Sequence, residues 1–340
     1  MRSSLFALAA LIPMVASAAP ATAPKPLYRD PVYDGAADVS SIYDRARHQW
    51  TMFYTDRRAT LKSEDPRDVA WVHATPIGMA TSKDGLTWRY AGLAKFPAEC
   101  IGDTLWAPEM YYEGGTYHMW LTVVPGVFHH WGDPGATAKI VHLTSPDLTT
   151  WSCSDTVPVA SNRVIDPSVL KLPDGSYRLW YKDERRGSRI FALDSKDLKS
   201  WTPHLDASGV DTPVVPTHGE GPKAFVFAGH DWIIYDSWNG LSVLRSDDGS
   251  TWTPQAERIL EQPGTHATDT DIGHHADVIV NNGRAYIYYF VHQDKEPQTQ
   301  TDKGWARRSV IQVAELKFAD GKLSVDRDAS VTTPLIAPKD

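Results

Sequence analysis

The sequence predicts an all-β protein, a five-bladed β-propeller with four antiparallel strands in each blade. One observation is a cassette that occurs five times along the 340 residues: an acid or histidine heading an apolar strand, a turn, then an aromatic strand. Asp38 leads to Trp50-Thr51-Met52-Phe53-Tyr54, and Trp106-Ala107-Pro108-Glu109 to Tyr117-His118-Met119-Trp120. Val164-Ile165-Asp166-Pro167 leads to Tyr177-Arg178-Leu179-Trp180-Tyr181, and Glu220-Gly221-Pro222 to Trp232-Ile233-Ile234-Tyr235. Gly273-His274-His275 leads to Tyr286-Ile287-Tyr288-Tyr289-Phe290. A period of roughly 50 residues reads as a propeller or an array. A second observation is that no long segment has helical periodicity, whereas Gly, Pro and Asp turn signals recur throughout.

A second pair of strand signals after each cassette completes the blade. An alternating strand runs into a Ser-x-Asp turn and a Trp that opens another strand. The turns and their tryptophans are Ser82-Lys83-Asp84 with Trp88, Ser145-Pro146-Asp147 with Trp151, Ser195-Lys196-Asp197 with Trp201, and Ser246-Asp247-Asp248 with Trp252. Repetition in four blades assigns these tryptophans to packing rather than to a site. The fifth copy, ending at Ala319-Asp320-Gly321, lacks the Trp. Its fourth strand is therefore expected from residues 27–32 or from 330–336.

Residues 1–18 read as a signal peptide: Arg2, an apolar core from about Leu5 to Val15, and the small residues Ala16-Ser17-Ala18. An Ala/Pro linker over 19–26 and a single catalytic propeller over 27–340 complete the expected organisation. The apolar core is too short to span a bilayer, and no later stretch is longer. The expected destination is the periplasm or the exterior. An oxidising compartment would let Cys100 and Cys153 pair, although two free buried thiols fit the spacing equally. A formal net charge of -8 without a basic block argues against nucleic acid and anionic membranes as partners. The sequence leaves the oligomeric state open.

In a propeller the first strand of each blade lines the central channel, so the five cassette heads ring one mouth of it. The set is Asp38, Glu109, Asp166, Glu220 and His274/His275. Residues after the aromatic strands reach the same face: Asp56, Arg57 and Arg58, Asp183 and Glu184, Asp236 with Trp238, and His292. Any one of these acids could simply cap a turn. Four together suit cleavage of a glycosidic bond, where one carboxyl donates a proton to the leaving oxygen and another activates water or attacks the sugar. A third acid raises the donor's pKa by like-charge repulsion. Trp71, His73, Trp131, Trp238 and Trp305 fall outside the repeat and are candidates for stacking on sugar rings. Arg57, Arg58, Arg307 and Arg308 are candidates for binding hydroxyls or a carboxylate. Inserts at 62–74, 127–137, 262–272 and 293–308 are expected to wall the pocket. The pairs His129/His130 and His274/His275 invite a metal reading. Neighbours on a strand point to opposite faces, so neither pair is expected to chelate one ion.

At these residues the sequence resembles glycoside hydrolase family 43, over nearly all of the chain after the signal peptide. Ala36-Ala37-Asp38-Val39-Ser40 matches the family's first-blade general base, with Val39 where Pro is more usual. Ile165-Asp166-Pro167-Ser168-Val169 matches the Asp that tunes and positions the acid. Gly219-Glu220-Gly221-Pro222 matches the general acid. Trp106 and Glu109 match a second-blade motif that borders the pocket, and Gly273-His274-His275 matches a fifth-blade motif.

The resemblance implies inverting hydrolysis without a required cofactor, with the Asp38 and Glu220 carboxyls ~6.5–9.5 Å apart. A structural calcium reached through water from His274 is the one metal it suggests. The implied substrate is an oligosaccharide or polysaccharide ending in α-L-arabinofuranose, β-xylose or β-galactofuranose, cut from its end. The alternatives are a catalytically silent sugar-binding propeller, a retaining fructosidase-like relative, and a sialidase-like propeller, against which five rather than six units count.

Overall fold

A computed structural model describes residues 21–63, 65, 67–159, 161–215, 217–293 and 305–339. The expected signal peptide, the side chain of Trp305 and most of the 293–308 insert lie outside the described residues. Among the described residues twenty strands form five separate four-stranded sheets. Blade 1 holds β1 (Ala36–Asp44), β2 (Gln49–Asp56), β3 (Ile77–Ser82) and β4 (Arg89–Leu93). Blade 2 holds β5 (Thr104–Glu113), β6 (Thr116–Val124), β7 (Lys139–Ser145) and β8 (Ser152–Thr156). Blade 3 holds β9 (Val164–Lys171), β10 (Tyr177–Asp183), β11 (Arg189–Ser195) and β12 (Trp201–Pro203). Blade 4 holds β13 (Glu220–Phe227), β14 (His230–Asp236), β15 (Leu241–Ser246) and β16 (Thr253–Pro254). Blade 5 holds β17 (His274–Asn281), β18 (Arg284–His292), β19 (Ser309–Ala319) and β20 (Lys322–Val325). Every sheet is antiparallel in sequence order. The first strands touch in a closed ring, β1 to β5 to β9 to β13 to β17 and back to β1.

The Ser-x-Asp turns do the folding work expected of them. In blade 1 the Asp84 carboxylate accepts the Leu86 and Thr87 amides, Ser82 Oγ accepts that of Gly85, and the Trp88 indole donates to the Gly85 carbonyl. Trp88, Trp151 and Trp201 are buried between sheets, and Trp252 packs against the blade 3–4 core.

Blade 5 departs from expectation. Its fourth strand is β20, from its own blade, because Asp320 and Gly321 both take positive φ (51° and 75°). That is the two-residue turn which folds one strand directly back on another. The missing Trp hid a hairpin that the Asp-Gly pair encodes. The two flanking segments instead tie the first and last blades together. Tyr28 exchanges both backbone hydrogen bonds with Ile311, and Leu335 donates its amide to the Asp84 carbonyl. Cys100 and Cys153 form a disulfide with Cα atoms 5.6 Å apart, joining the approach to β5 with β8.

Each inner strand bulges near its start. In β1 the ladder jumps from Ala37 to Ser40, in β5 from Trp106 to Glu109, and in β9 from Ile165 to Ser168. The same jump runs from Glu220 to Lys223 in β13 and from His274 to Asp277 in β17. Three bulges hold Pro at their second position (Pro108, Pro167, Pro222), where the missing N–H costs no ladder bond. Val39 and Ala276 occupy that place in the other two.

Immediately past the bulges, one residue from each blade closes the channel: Ser40, Glu109, Ser168, Lys223 and Asp277. The Lys223 ammonium lies 2.8 Å from Glu109 and 2.9 Å from Asp277. Ser40 accepts the Met110 amide, Glu109 that of Val169, Ser168 that of Ala224, and Asp277 that of Ser41. The five blades are therefore stitched at the axis by side chains of matched register.

Candidate active site

The bulges decide which residues face the channel mouth. A two-residue bulge breaks the alternation of faces, so side chains on both sides of it can point the same way. At the first bulge position stand Asp38, Ala107, Asp166, Gly221 and His275. The first four have positive φ (48°, 44°, 58° and 54°). Aspartate tolerates that conformation better than most side chains. Gly221 is required by its surroundings as well, because a Cβ there would meet the His275 ring at 2.5 Å.

Asp38, Asp166, Glu220, His274 and His275 all line one cavity of about 490 Å³, within the range of small-molecule sites. They do not share one phase. Asp38, Asp166 and His275 occupy the same register, and Glu220 and His274 precede it by one residue. Both histidines face the cavity, contrary to the alternation expected of a regular strand, because the β17 bulge begins between them. His274 Nδ1 faces Asp236 at 2.9 Å, and His275 Nδ1 faces Asp38 at 3.3 Å. Among the described residues no group of three or more His, Cys, Asp or Glu is arranged to hold a metal ion.

Two expected sugar contacts lie elsewhere. Glu109 sits two residues beyond the first bulge position, Ala107, and belongs to the axial ring, buried with Lys223. Asp183 is fully buried, and its carboxylate caps the turn after β10 by accepting the Arg185 and Arg186 amides. Of the other candidates, Arg57, Trp71, His73, Trp106, Trp131 and Trp238 line the cavity. Arg58 instead donates to the carbonyls of Ala70 and His73, fixing the 62–74 insert, and Arg307 donates to that of Leu61. Arg308 pairs with Asp34. The inserts at 62–74 and 127–137 wall the cavity. None of its lining comes from 262–272, whose Asp269 is paired with Arg327.

The charges are finely divided. Burial favours the neutral form of Asp38, but Arg57 at 3.0 Å, His275 and Thr55 outweigh it and hold the carboxyl well below the usual range. Burial, reinforced by Glu220 and Asp38 against the opposing pull of His275 and Lys182, pushes Asp166 up to about 7. Burial opposes the charge on His275 as well, yet the three carboxyls raise its ring to about 9. Glu220 goes the other way. Burial would raise it, but the Lys182 ammonium at 2.8 Å, with Trp238 and His275, holds it below an ordinary glutamate. These directions run opposite to the expected order, in which a protonated Glu220 is kept so by an ionised Asp166.

Glu184 lines the cavity as its place after the third aromatic strand led us to expect, whereas Lys182 and Arg163 are lining residues that sequence reasoning missed. Lys182 lies inside an aromatic strand whose other members are core, and only the ladder pairing with Ile165 brings it to the mouth.

The model of a probable glycosyl hydrolase domain, related to glycosyl hydrolase family 43, matches residues 34–275. The chain belongs to this family. It is a glycoside hydrolase. Among solved structures, a thermostable family 43 glycoside hydrolase is similar at a TM-score of 0.63 and 15% identity, with 92% of this chain and 98% of that one covered. A family 43 β-xylosidase/α-arabinofuranosidase from a compost microbial metagenome, in complex with xylotriose, gives a TM-score of 0.60 at 15% identity, covering 86% and 96%. A xylan β-1,4-xylosidase from Bacillus halodurans gives 0.60 at 16%, covering 92% of this chain and 60% of that one. No curated protein matches the sequence. At such identities the likeness to solved structures is one of fold, and the family rests on the matched model.

Proposed function

We propose that this family member removes a terminal sugar of the α-L-arabinofuranose, β-xylose or β-galactofuranose type from oligosaccharides by single displacement with inversion. Asp38 is the general base, Glu220 the general acid, and Asp166 holds and supplies the proton that the acid needs. The observation that carries this reading is the gathering of the three carboxyls around one walled cavity in different electrostatic settings. The Arg57 guanidinium and His275 keep Asp38 ionised, so it can take a proton from water as the water attacks the anomeric carbon. Glu220 passes a proton to the departing oxygen. Trp238 and Trp131, both largely exposed at the mouth, are placed to stack on sugar beyond the bond that breaks. The 62–74 and 127–137 walls favour a chain end over a mid-chain segment.

The test is a series of oligosaccharides with time-resolved NMR of the anomer first formed. Monosaccharide alone, released with inverted configuration, is the expected result. Internal cuts or a retained anomer would overturn it. Glu220→Gln should lose ~10²–10⁴-fold on natural substrates and far less on aryl glycosides whose leaving group departs without a proton.

A further inference from the structure

The carboxyl that its surroundings push up, Asp166, and the proposed donor, Glu220, are different groups. Between them stands Lys182, a side chain 5% exposed that has no role in the hydrolysis proposed for Asp38, Asp166 and Glu220. Its ammonium is shared: 2.8 Å to Glu220 Oε2 and 3.3 Å to Glu184 Oε1. Above it lies the Trp238 ring, 5.4 Å from Nζ, on a residue held in the left-handed conformation (φ 59°). Such a conformation in a bulky exposed residue beside a reactive group is a strained feature of the kind that gathers at working sites. Glu184 is paired in turn with Arg163.

We propose that Lys182 is a positioning residue that keeps Glu220 charged while no sugar is bound, and that releases it by shifting its ammonium onto Glu184 when a sugar enters beneath Trp238. The inference rests on Glu220 being the proton donor. On release, one proton passes from the Asp166 carboxyl to the Glu220 carboxylate, and no other bond changes. Glu220 then gives that proton to the leaving oxygen, and the attacking water gives one to Asp38. Asp38 returns its proton to solvent and Asp166 regains one, which restores the starting state.

The groups that face this exchange are few. Asp38 and His275 look onto it from β1 and β17, Arg57 from the end of β2, and Asp166 from β9. Arg163 and Glu184 face it from the blade 3 loops, and the His274–Asp236 pair from blades 5 and 4. Lys182 opposes retention of a proton by both Asp166 and Glu220. Glu184 offsets it.

The experiment compares pH profiles of kcat/KM, which report the free enzyme, with those of kcat, which report the complex. The substrate is a natural oligosaccharide, and the proteins are wild type, Lys182→Met, Lys182→Arg and Glu184→Gln. In wild type the basic limb of kcat should lie above that of kcat/KM. In Lys182→Met the kcat/KM limb should rise by about one pH unit, a tenfold change in the protonated fraction, and close that gap. Lys182→Arg should stay near wild type, and Glu184→Gln should move the kcat/KM limb down. An unmoved limb in Lys182→Met, or shifts of the same sign in Lys182→Met and Glu184→Gln, overturns the proposal. If Lys182→Met does not fold, the sign of the Glu184→Gln shift decides. Glu220→Gln assayed on an activated aryl glycoside separates the two ideas. Equal loss on aryl and natural substrates sinks the donor assignment itself. Retained aryl turnover with an unmoved limb in Lys182→Met sinks only the role of Lys182.

Discussion

The Arg57 guanidinium is the strongest of the partners that hold Asp38 charged. Arg57 reaches both carboxylate oxygens, at 3.0 and 3.3 Å, and its own plane lies over the Phe290 ring at 4.5 Å. As the proposed base it should therefore stay ionised far into acid, and the acidic limb of kcat/KM should lie at unusually low pH. A depressed carboxyl loses its charge only below its own pKa, so removing the depressing partner moves that loss to higher pH. Arg57→Met should shift the acidic limb upward by about 1–3 units, read from the same pH profiles. An unchanged limb would mean that some other group sets it. Residues were legible in proportion to the oddness of their place. Acids at the heads of apolar strands stood out, as did tryptophans outside the repeat. Lys182 did not, because a lysine in an aromatic strand looks like an edge residue snorkelling to water.

At the scale of the element, the inner strand does two jobs separated by one bulge. Before and within the bulge it presents reactive groups; past the bulge it presents a stitch. Glu109 shows why the distinction was invisible in the sequence. Its motif looks like the other acid heads, yet two residues of register carry it from the mouth to the axial ring. The period-2 rule that serves a regular strand fails across an irregularity, and for the same reason His274 and His275 share a face. Glu109→Ala would leave Lys223 buried with Asp277 alone. Loss of one partner from a buried ion pair costs about 3–5 kcal/mol, so the variant should show a large fall in denaturant midpoint while substrate affinity of the folded fraction is kept. A variant as stable as wild type but weakened in KM would return Glu109 to the sugar site. The fourth strand of blade 5 was legible in principle: Asp320-Gly321 is a hairpin signal, set aside for want of the Trp that marks the other four.

For the whole molecule, the number of blades and their order could be read from repetition alone. The closure of the ring could not, because it depends on segments with no counterpart in the repeat. Residues around Tyr28 and Asp30 strap blade 5 to blade 1 through a buried cluster. Tyr54 donates to Asp30 at 2.6 Å and meets the Tyr28 hydroxyl at 2.8 Å. Asp56, wholly buried, stands beside Asp30, and burial together with that carboxylate pushes it up to about 8. A carboxyl raised in the folded state binds more protons there than in the unfolded chain. Its contribution is full at acid pH and is lost as pH rises through about 8. Melting temperature should fall across about pH 4 to 8 in wild type and less steeply in Asp56→Asn. Parallel curves would show that the strap does not depend on this proton.

The five-membered stitch at the axis has a consequence for traffic. A hole down the middle of a propeller would offer a second exit, but here its floor is filled by a lysine gripped by two carboxylates and by two bonded hydroxyls. Whatever is cut at the mouth finds no way out along the axis. Under the proposed end-wise cleavage, the freed sugar backs out past the tryptophans before another chain end can enter, so turnover becomes a queue at one gate rather than a flow from end to end.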